Sequence, residues 1–246
     1  ILMAKETTDL QVRDERKIKS KTYDGVAQKD TDSGEAIPRT RQVQQRAEVT
    51  KAKVIKAATQ LFAELGYGGV SIRDIENEAG VKRGIVNHHF GNKEELWKKV
   101  LDYMFGLLSE YVDARAELLR DLSPGERGPY LIRSYVRFSA AHPELTRLML
   151  HEGKRSSPRL DYIVDNHSQP MMRQLRERLS GLVPDSSEGS DDFVFWYYTF
   201  LGASSLVYTM APEAQALFGF DRHDQATVDR HANFVADFLL NRSKNE

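Results

Sequence analysis

The sequence predicts an all-α protein. Three observations carry that expectation: apolar residues recur at helical spacing along most of the chain, short glycine-bearing turns separate the periodic segments, and capping residues stand where several segments start.

The stretch from Thr50 to Leu101 shows all three. Val54, Ala57, Ala58, Leu61, Phe62 and Leu65 follow the i, i+3, i+4, i+7 pattern of an amphipathic helix that stops at Gly66. Ser71 opens a second helix, with Asp74 three residues on as the other half of a cap, and Ala79-Gly80 closes it. A third begins at Val81 or Lys82 and ends at Phe90-Gly91, with Ile85, Val86 and Phe90 inward; Gly84 then falls mid-helix. A fourth starts at Asn92, whose cap partner is Glu95, and carries Leu96, Val100, Met104 and Leu108. Helices this short do not stand alone and must pack as one unit. The third presents Lys82, Arg83, Asn87 and His88 away from its apolar side, which is the layout of a helix-turn-helix DNA reader.

The remaining chain continues the helical reading. Residues 1–45 are polar, mixed in charge and without sustained period, so an unstructured arm is expected; its cluster Arg39, Arg41 and Arg46 suits either a solvated tail or an arm that follows DNA. After a break at Asp121 to Gly125, helices are expected over Gly128–Ala141, Pro143–His151 and Arg159–Leu182. Pro184 to Ser190 reads as a linker. Phe193–Met210 is apolar nearly all round and must be covered on more than one side, and a last helix runs from Asp224 to Asn241.

Composition bounds the function. The 246 residues contain no cysteine, which excludes disulfides, thiolate metal sites and a cysteine nucleophile. No apolar run approaches the ~20 residues that cross a bilayer, so a cytoplasmic protein is expected. The net charge of −1 hides an asymmetry: Arg39 to Val100 holds 12 Lys+Arg against 7 Asp+Glu, whereas Leu101 to Glu246 holds 16 against 21. A basic head on an acidic body suits a protein of which one part meets phosphates. No phosphate-cradling glycine loop or nucleophile motif is present, and the histidines lack metal-ligand spacing, so no enzyme activity, metal or cofactor is expected.

The segment AATQLFAELGYGGVSIRDIENEAGVKRGIVNHHFGNKEEL resembles the tetracycline-repressor (TetR) family of bacterial regulators, over roughly Val49 to Leu101. The resemblance implies a helix-turn-helix DNA-binding domain over residues 46–92, followed by a larger helical ligand-binding and dimerisation domain over 93–246. It implies a transcriptional regulator, by family default a repressor, released from a palindromic operator by a small, largely apolar effector and acting as a homodimer. Carried over position by position, Lys82, Arg83, Gly84, Asn87 and His88 line the major groove with Ser71 and Arg73 at the second helix. Thr50, near the start of the first helix, and Lys93, at the start of the fourth, are placed for phosphate contact. Arg83 and Asn87 are the leading base readers, because Arg grips guanine and Asn grips adenine with paired bonds.

The sequence departs from the family pattern at Lys82, Ile85 and Asn87, where relatives carry Ser or Thr, Thr, and Tyr. The usual hydroxyl cap of the third helix is therefore absent. Those departures also leave open a helical ligand-binding or scaffold protein with a weakened reader. Met104, Tyr111, Phe138, Met149, Tyr162, Met172, Trp196 and Tyr198 are candidates for an apolar effector pocket, although a Met or aromatic stripe also serves as ordinary core. Gly202, Ser205, Ala232, Val235 and Leu239 are candidates for the dimer contact, on two helices that could equally complete an intramolecular core.

Overall fold

The structure is a computed structural model and describes residues 39–113, 122–181, 183 and 191–240. Residues 1–38 of the arm expected over 1–45 and the linker at Pro184 to Ser190 lie outside the described residues. So do the ends expected at Asp121, Leu182 and Asn241. The chain divides into two compact units, Ile1–Lys53 and Val54–Glu246. Among the described residues every regular element is helical.

Helix α1 (Arg39–Leu65) is longer than its apolar periodicity foretells. Its first half is polar and rich in Arg, Gln, Ala, Glu and Lys, good helix formers that outnumber the β-branched Thr40, Val43, Val49 and Thr50, so propensity favours the helix where no core-facing stripe exists. In the first unit Lys51 pairs with Glu48 at 2.9 Å, one turn back. Thr50 is consequently mid-helix, not near a helix start, and its hydroxyl donates to the Arg46 carbonyl at 2.8 Å. Residues 39–45, expected to be unstructured, are helical as well.

The second unit opens with the buried Val54, Ala57, Ala58 and Phe62 of α1. Leu65, expected inward, is exposed at the helix end, where Gly66 turns the chain with φ +69°. Helix α2 (Ile72–Glu78) starts in a full capping box: Ser71 Oγ accepts from the Asp74 N–H at 3.2 Å, and the Asp74 carboxylate accepts from the Ser71 N–H at 2.9 Å. Helix α3 (Ile85–Phe90) begins at Ile85, not at Val81 or Lys82, so Gly84 precedes the helix. Gly84 has φ +88°, the left-handed region that costs a residue with a Cβ ~1–2 kcal/mol. Helix α4 (Lys93–Asp113) is capped by Asn92, whose side-chain oxygen accepts from the Glu95 N–H at 2.9 Å.

Helix α5 (Pro124–Ala141) starts four residues earlier than expected. Pro124 and Gly125 read as a break, but proline at a first helical position loses no hydrogen bond, and Ser123 with Glu126 forms a second capping box. Helix α6 (Pro143–Glu152) follows as expected, except that Leu150 faces solvent. The single helix expected from Arg159 is in fact three pieces: α7 (Pro158–Ile163), a π-helical turn (Val164–Ser168) and α8 (Gln169–Arg178). Pro170 supplies the reason, since its ring and missing N–H disrupt the regular turn before it, and the Gln169 N–H bonds to Val164 O five residues back. Helices α9 (Asp192–Thr209), α10 (Ala211–Phe218) and α11 (Gln225–Leu239) complete the chain.

Two large cores and a smaller cluster around Leu131 and Leu179 hold the second unit. The first joins Phe62, Ile75 and Val86 of the short helices to Leu96, Trp97, Val100, Leu101, Met104, Phe105 and Leu108 of α4, and onward to Phe138, Leu145, Leu148 and Ile163. The second packs α5, α9 and α11 through Ile132, Val136, Phe200, Tyr208, Ala232 and Val235. Arg137 and Asp229 tie α5 to α11 at its edge, 2.8 Å apart.

The Ser71–Asp74 cap makes one pH-dependent contribution. Hydrogen bonds from the Ser71 hydroxyl and N–H, in that order, hold the Asp74 carboxyl below its ordinary value of 3.8. A depressed folded value stabilises the fold fully above the ordinary value and ceases to do so as pH falls through the folded one. The stability gap between the wild type and Asp74→Asn is therefore expected to be largest near neutral pH and to close on acidification below 3.8. Denaturant unfolding at stepped pH measures it, and a gap that widens in acid contradicts the cap.

Candidate nucleic-acid interface

Helix α3 is only six residues long and has no side-chain cap at its own N-terminus. What holds it is Glu76, near the end of α2. Its carboxylate oxygen Oε1 accepts from the Gly84 N–H at 2.8 Å and from the Val86 N–H at 3.1 Å, while its carbonyl accepts from the Val81 N–H at 3.0 Å. The positive φ of Gly84 lets the chain turn so that both amides meet one oxygen. Beneath them Ile75 and Val86 are fully buried. At the far end Gly91 has φ +84° and donates to Asn87 O, leading into α4.

The face left outward by this seating carries Arg73, Lys82, Arg83, Gly84, Asn87 and His88, all exposed. The structure thus brings six of the nine expected DNA-contacting residues to the exposed side of α2, α3 and the turn between them. Arg83 stands in the turn before α3, and Asn87 stands on the helix's first turn. The other three are differently engaged. Ser71 spends its hydroxyl proton on Asp74 at 2.7 Å. Lys93, half-buried, lies with its ammonium 4.1 Å from the centre of the Tyr67 ring, and burial followed by the charge of Arg159 lowers its pKa. Thr50, mid-helix and bonded to Arg46 O, keeps no hydroxyl proton for a phosphate in this pose. His88 and His89 are adjacent rings 4.8 Å apart.

Glu76 is the residue the sequence reading missed. A signal for it exists: a carboxylate stands beside Ile75 on the inward side of an amphipathic helix, in a chain whose third helix lacks its own hydroxyl cap.

The candidate effector residues do not converge on one place. Met104 and Phe138 are buried in the first core, where Tyr111 meets Phe138 edge-on at 5.6 Å and Met149 and Tyr162 are partly buried. Tyr162 donates to Asp102 Oδ1 at 2.6 Å, and His167 Nε2 lies 3.2 Å from the same oxygen without a hydrogen-bonding angle, its ring stacked on Phe105. Met172 is half-buried on α8. Trp196 belongs to the second core, stacked on Phe200 at 5.5 Å, whereas Tyr198 faces solvent. Two residues apart on a helix are about 200° apart, so Trp196 and Tyr198 cannot share one cavity.

Helical phase sorts the candidate dimer residues in the same way. Ser205, Ala232 and Val235 are buried within the chain, and Ser205 Oγ donates to Leu201 O at 2.6 Å. Leu239 is half-buried against the second core and Gly202 is exposed. The outward faces of these helices carry Phe195, Tyr198 and Leu206 on α9 and Phe234 and Phe238 on α11, the last two stacked 6.2 Å apart.

Residues 54–100 match the family model described as bacterial regulatory proteins, tetR family. The transcriptional repressor KstR2 of Mycobacterium tuberculosis is 30% identical over 125 residues, covering 48% of this chain and 60% of KstR2. The regulator CymR of Pseudomonas putida is 36% identical over 83 residues, covering 34% of this chain and 41% of CymR. The chain therefore spans less than two thirds of either relative in these matches. Among solved structures, KstR2 of Mycobacterium tuberculosis superposes with a TM-score of 0.57 at 21% identity, covering 80% of this chain and 95% of that one. AibR, solved with isovaleryl coenzyme A and operator DNA, superposes with a TM-score of 0.56 at 19% identity, covering 78% and 98%. FadR of Bacillus subtilis, solved with stearoyl-CoA, superposes at 0.53 and 18%, covering 78% and 98%. These structures share the all-helical fold along most of their length, and residues 54–100, from α1 into α4, match the domain of the tetR family of bacterial regulatory proteins.

Proposed function

We propose that the protein is a sequence-specific DNA-binding transcriptional regulator, a repressor that a small, largely apolar effector releases from its operator. The observation that carries this reading is the outward cluster of Arg73, Lys82, Arg83, Asn87 and His88 around a short helix seated on a buried core. Cationic and amide groups on and just before the N-terminal turn of such a helix are what the major groove receives. Residues 46–92 then form the reader and residues 93–246 the effector and dimerisation body, with residues 1–45 as an arm. Arg83 and Asn87 read bases, and Lys82 contacts phosphates. The regulator is non-enzymatic and works in the cytoplasm, where its DNA lies; among the described residues no helix is long and apolar enough to cross a membrane.

The effector is placed against the first core, where Met104, Tyr111, Phe138, Met149 and Tyr162 gather. Neighbours of the same fold solved with isovaleryl coenzyme A and stearoyl-CoA make acyl-CoA thioesters the first probes. An effector that prefers the conformation unable to bind DNA lowers operator affinity by the same factor that operator lowers effector affinity.

A palindromic operator needs two readers. The exposed Phe195, Tyr198, Leu206, Phe234 and Phe238 form the proposed dimer face, in place of Ser205, Ala232 and Val235, which the chain's own core already covers. Gly202 stays in the proposal, because a Cβ there meets nothing within 4 Å and a partner helix can approach.

Selection of bound DNA from random sequence tests the regulator reading. The expected result is a two-fold symmetric site bound selectively at 0.2 M salt or thereabouts. Weak binding that salt erases, with no common sequence, would sink it and favour a helical ligand-binding or scaffold protein. On the selected site Arg83→Ala is expected to cost ~1–3 kcal/mol and to relax preference at one position per half-site. A uniform loss across all sequences instead makes Arg83 a phosphate contact. For assembly, Phe234→Asp is expected to shift the protein from dimer to monomer in sedimentation at micromolar concentration, with little loss of helical signal. A wild type that already sediments as a monomer ends the dimer proposal.

A further inference from the structure

We infer that Glu76 is the positioning residue of the recognition helix, a residue that never touches DNA yet sets where the base-reading side chains stand. The inference rests on the reading of α3 as the recognition helix. Its basis is a juxtaposition: an almost wholly buried carboxylate from α2 accepts both the Gly84 and Val86 amides at the start of α3.

Three features make this a device with a purpose beyond packing. First, a helix of six residues has too few internal hydrogen bonds to hold its own shape, so contacts from outside decide its direction. The early amides of a helix have no intrahelical acceptor, and here two of the three at Gly84, Ile85 and Val86 end on one oxygen of Glu76 while Ile85 bonds to Lys82 O at 3.2 Å. Second, burying a carboxylate is costly unless hydrogen bonds replace its water, and among the described residues no cation forms an ion pair with Glu76. Leu or Met would fill the same space without that cost. What Glu76 supplies that they cannot is a hydrogen-bond acceptor for the open amides at the start of α3. Third, the residue at the N-cap of α3 is Gly84, which has no side chain, and Lys82 in the turn before it has no acceptor. The cap therefore comes from the preceding helix, and Lys82 is left exposed.

The consequence is that α2 and α3 are tied by one side chain. Gly84 belongs to the same device: only its left-handed backbone turns its amide inward, and a Cβ there would meet nothing within 4 Å, so its conformation and not crowding sets the requirement. A base reader displaced by a fraction of an ångström loses its paired hydrogen bonds, whereas a lysine reaching a phosphate tolerates the shift. Loss of the staple should therefore erode specificity before affinity.

The test compares full-chain wild type, Glu76→Gln and Glu76→Leu in two measurements. Without DNA, amide hydrogen exchange reads the staple directly. The Gly84 and Val86 amides are expected to be protected in the wild type, to stay so in Glu76→Gln, which keeps a side-chain acceptor, and to exchange about tenfold faster or more in Glu76→Leu, while the Ile75 and Val100 amides hold. With the selected operator, the ratio of specific to nonspecific affinity is expected to fall about tenfold in Glu76→Leu and to remain close to wild type in Glu76→Gln, at unchanged salt dependence. Protection and specificity retained in Glu76→Leu would show that Glu76 only fills space and overturn the inference. Unprotected Gly84 and Val86 amides in the wild type overturn it as well, whether or not Glu76→Leu folds. A wild type with protected amides but no selective DNA binding refutes the regulator reading and leaves the staple standing.

Discussion

Helix α4 is the constraint on which the rest of the structure depends. Its buried residues Leu96, Trp97, Val100, Leu101, Met104, Phe105 and Leu108 recur as pairs one turn apart, so one continuous stripe faces inward for more than three turns. The first half of that stripe closes the core under α1, α2 and α3; the second half meets Phe138, Leu145, Leu148 and Ile163 of the body. The short helices before α4 and the helices after it therefore share one core. A packed core of this kind tolerates few intermediate arrangements, so a rotation or shift of α4 must repack both ends together.

Around that shared core lies a set of polar contacts with the same connectivity. Tyr67, in the turn after α1, has the Lys93 ammonium 4.1 Å from its ring and the Arg159 guanidinium 4.2 Å from it, and meets Trp97 edge-on. Arg159 in turn pairs with the buried carboxylate of Glu152 at 3.0 Å. One helix away, His151 Nε2 lies 3.2 Å from Ala63 O, and its ring would crowd any side chain added at Gly66. The start of α4, the end of α1 and the α6–α7 corner thus form one joint. Arg159 links the two sides of this joint, with Tyr67 on one side and Glu152 on the other. The Asp102, Tyr162 and His167 cluster lies further along α4, next to the π turn that Pro170 imposes. α7 therefore meets α4 at two places, through Arg159 near its start and Tyr162 further along.

How much of this was legible in the sequence follows from the range of each interaction. Ser71 with Asp74 and Asn92 with Glu95 are local caps, formed between residues three apart, and their pattern is visible without a fold. The inward stripes of α1 and α4 are legible for the same reason. Gly84 was misplaced because a mid-helix glycine and one just before a helix look alike until the partner of its amide is known, and that partner, Glu76, is eight residues away. The break between α7 and α8 was carried by Pro170 in plain sight, but apolar periodicity runs through a π turn almost undisturbed. On α9 periodicity was silent, since residues apolar on every side define no inward phase. Only the packing of Phe200 and Tyr208 against α11 decides that Tyr198 is outside and Ser205 inside.

The chain's departures at Lys82, Ile85 and Asn87, which read as a weakening of the reader, acquire a different meaning beside Glu76. The Glu76 carboxylate satisfies two amides from the core side of α3. Ile85 then loses nothing by lacking a hydroxyl, and its half-buried side chain packs against the first core. The outward face is left to Lys82, Arg83, Asn87 and His88, groups that can donate to phosphates or base edges. The cap from Glu76 fixes the start of α3 in the free protein, and under the proposed reading a helix fixed beforehand spends less of its contact energy on ordering when it meets DNA.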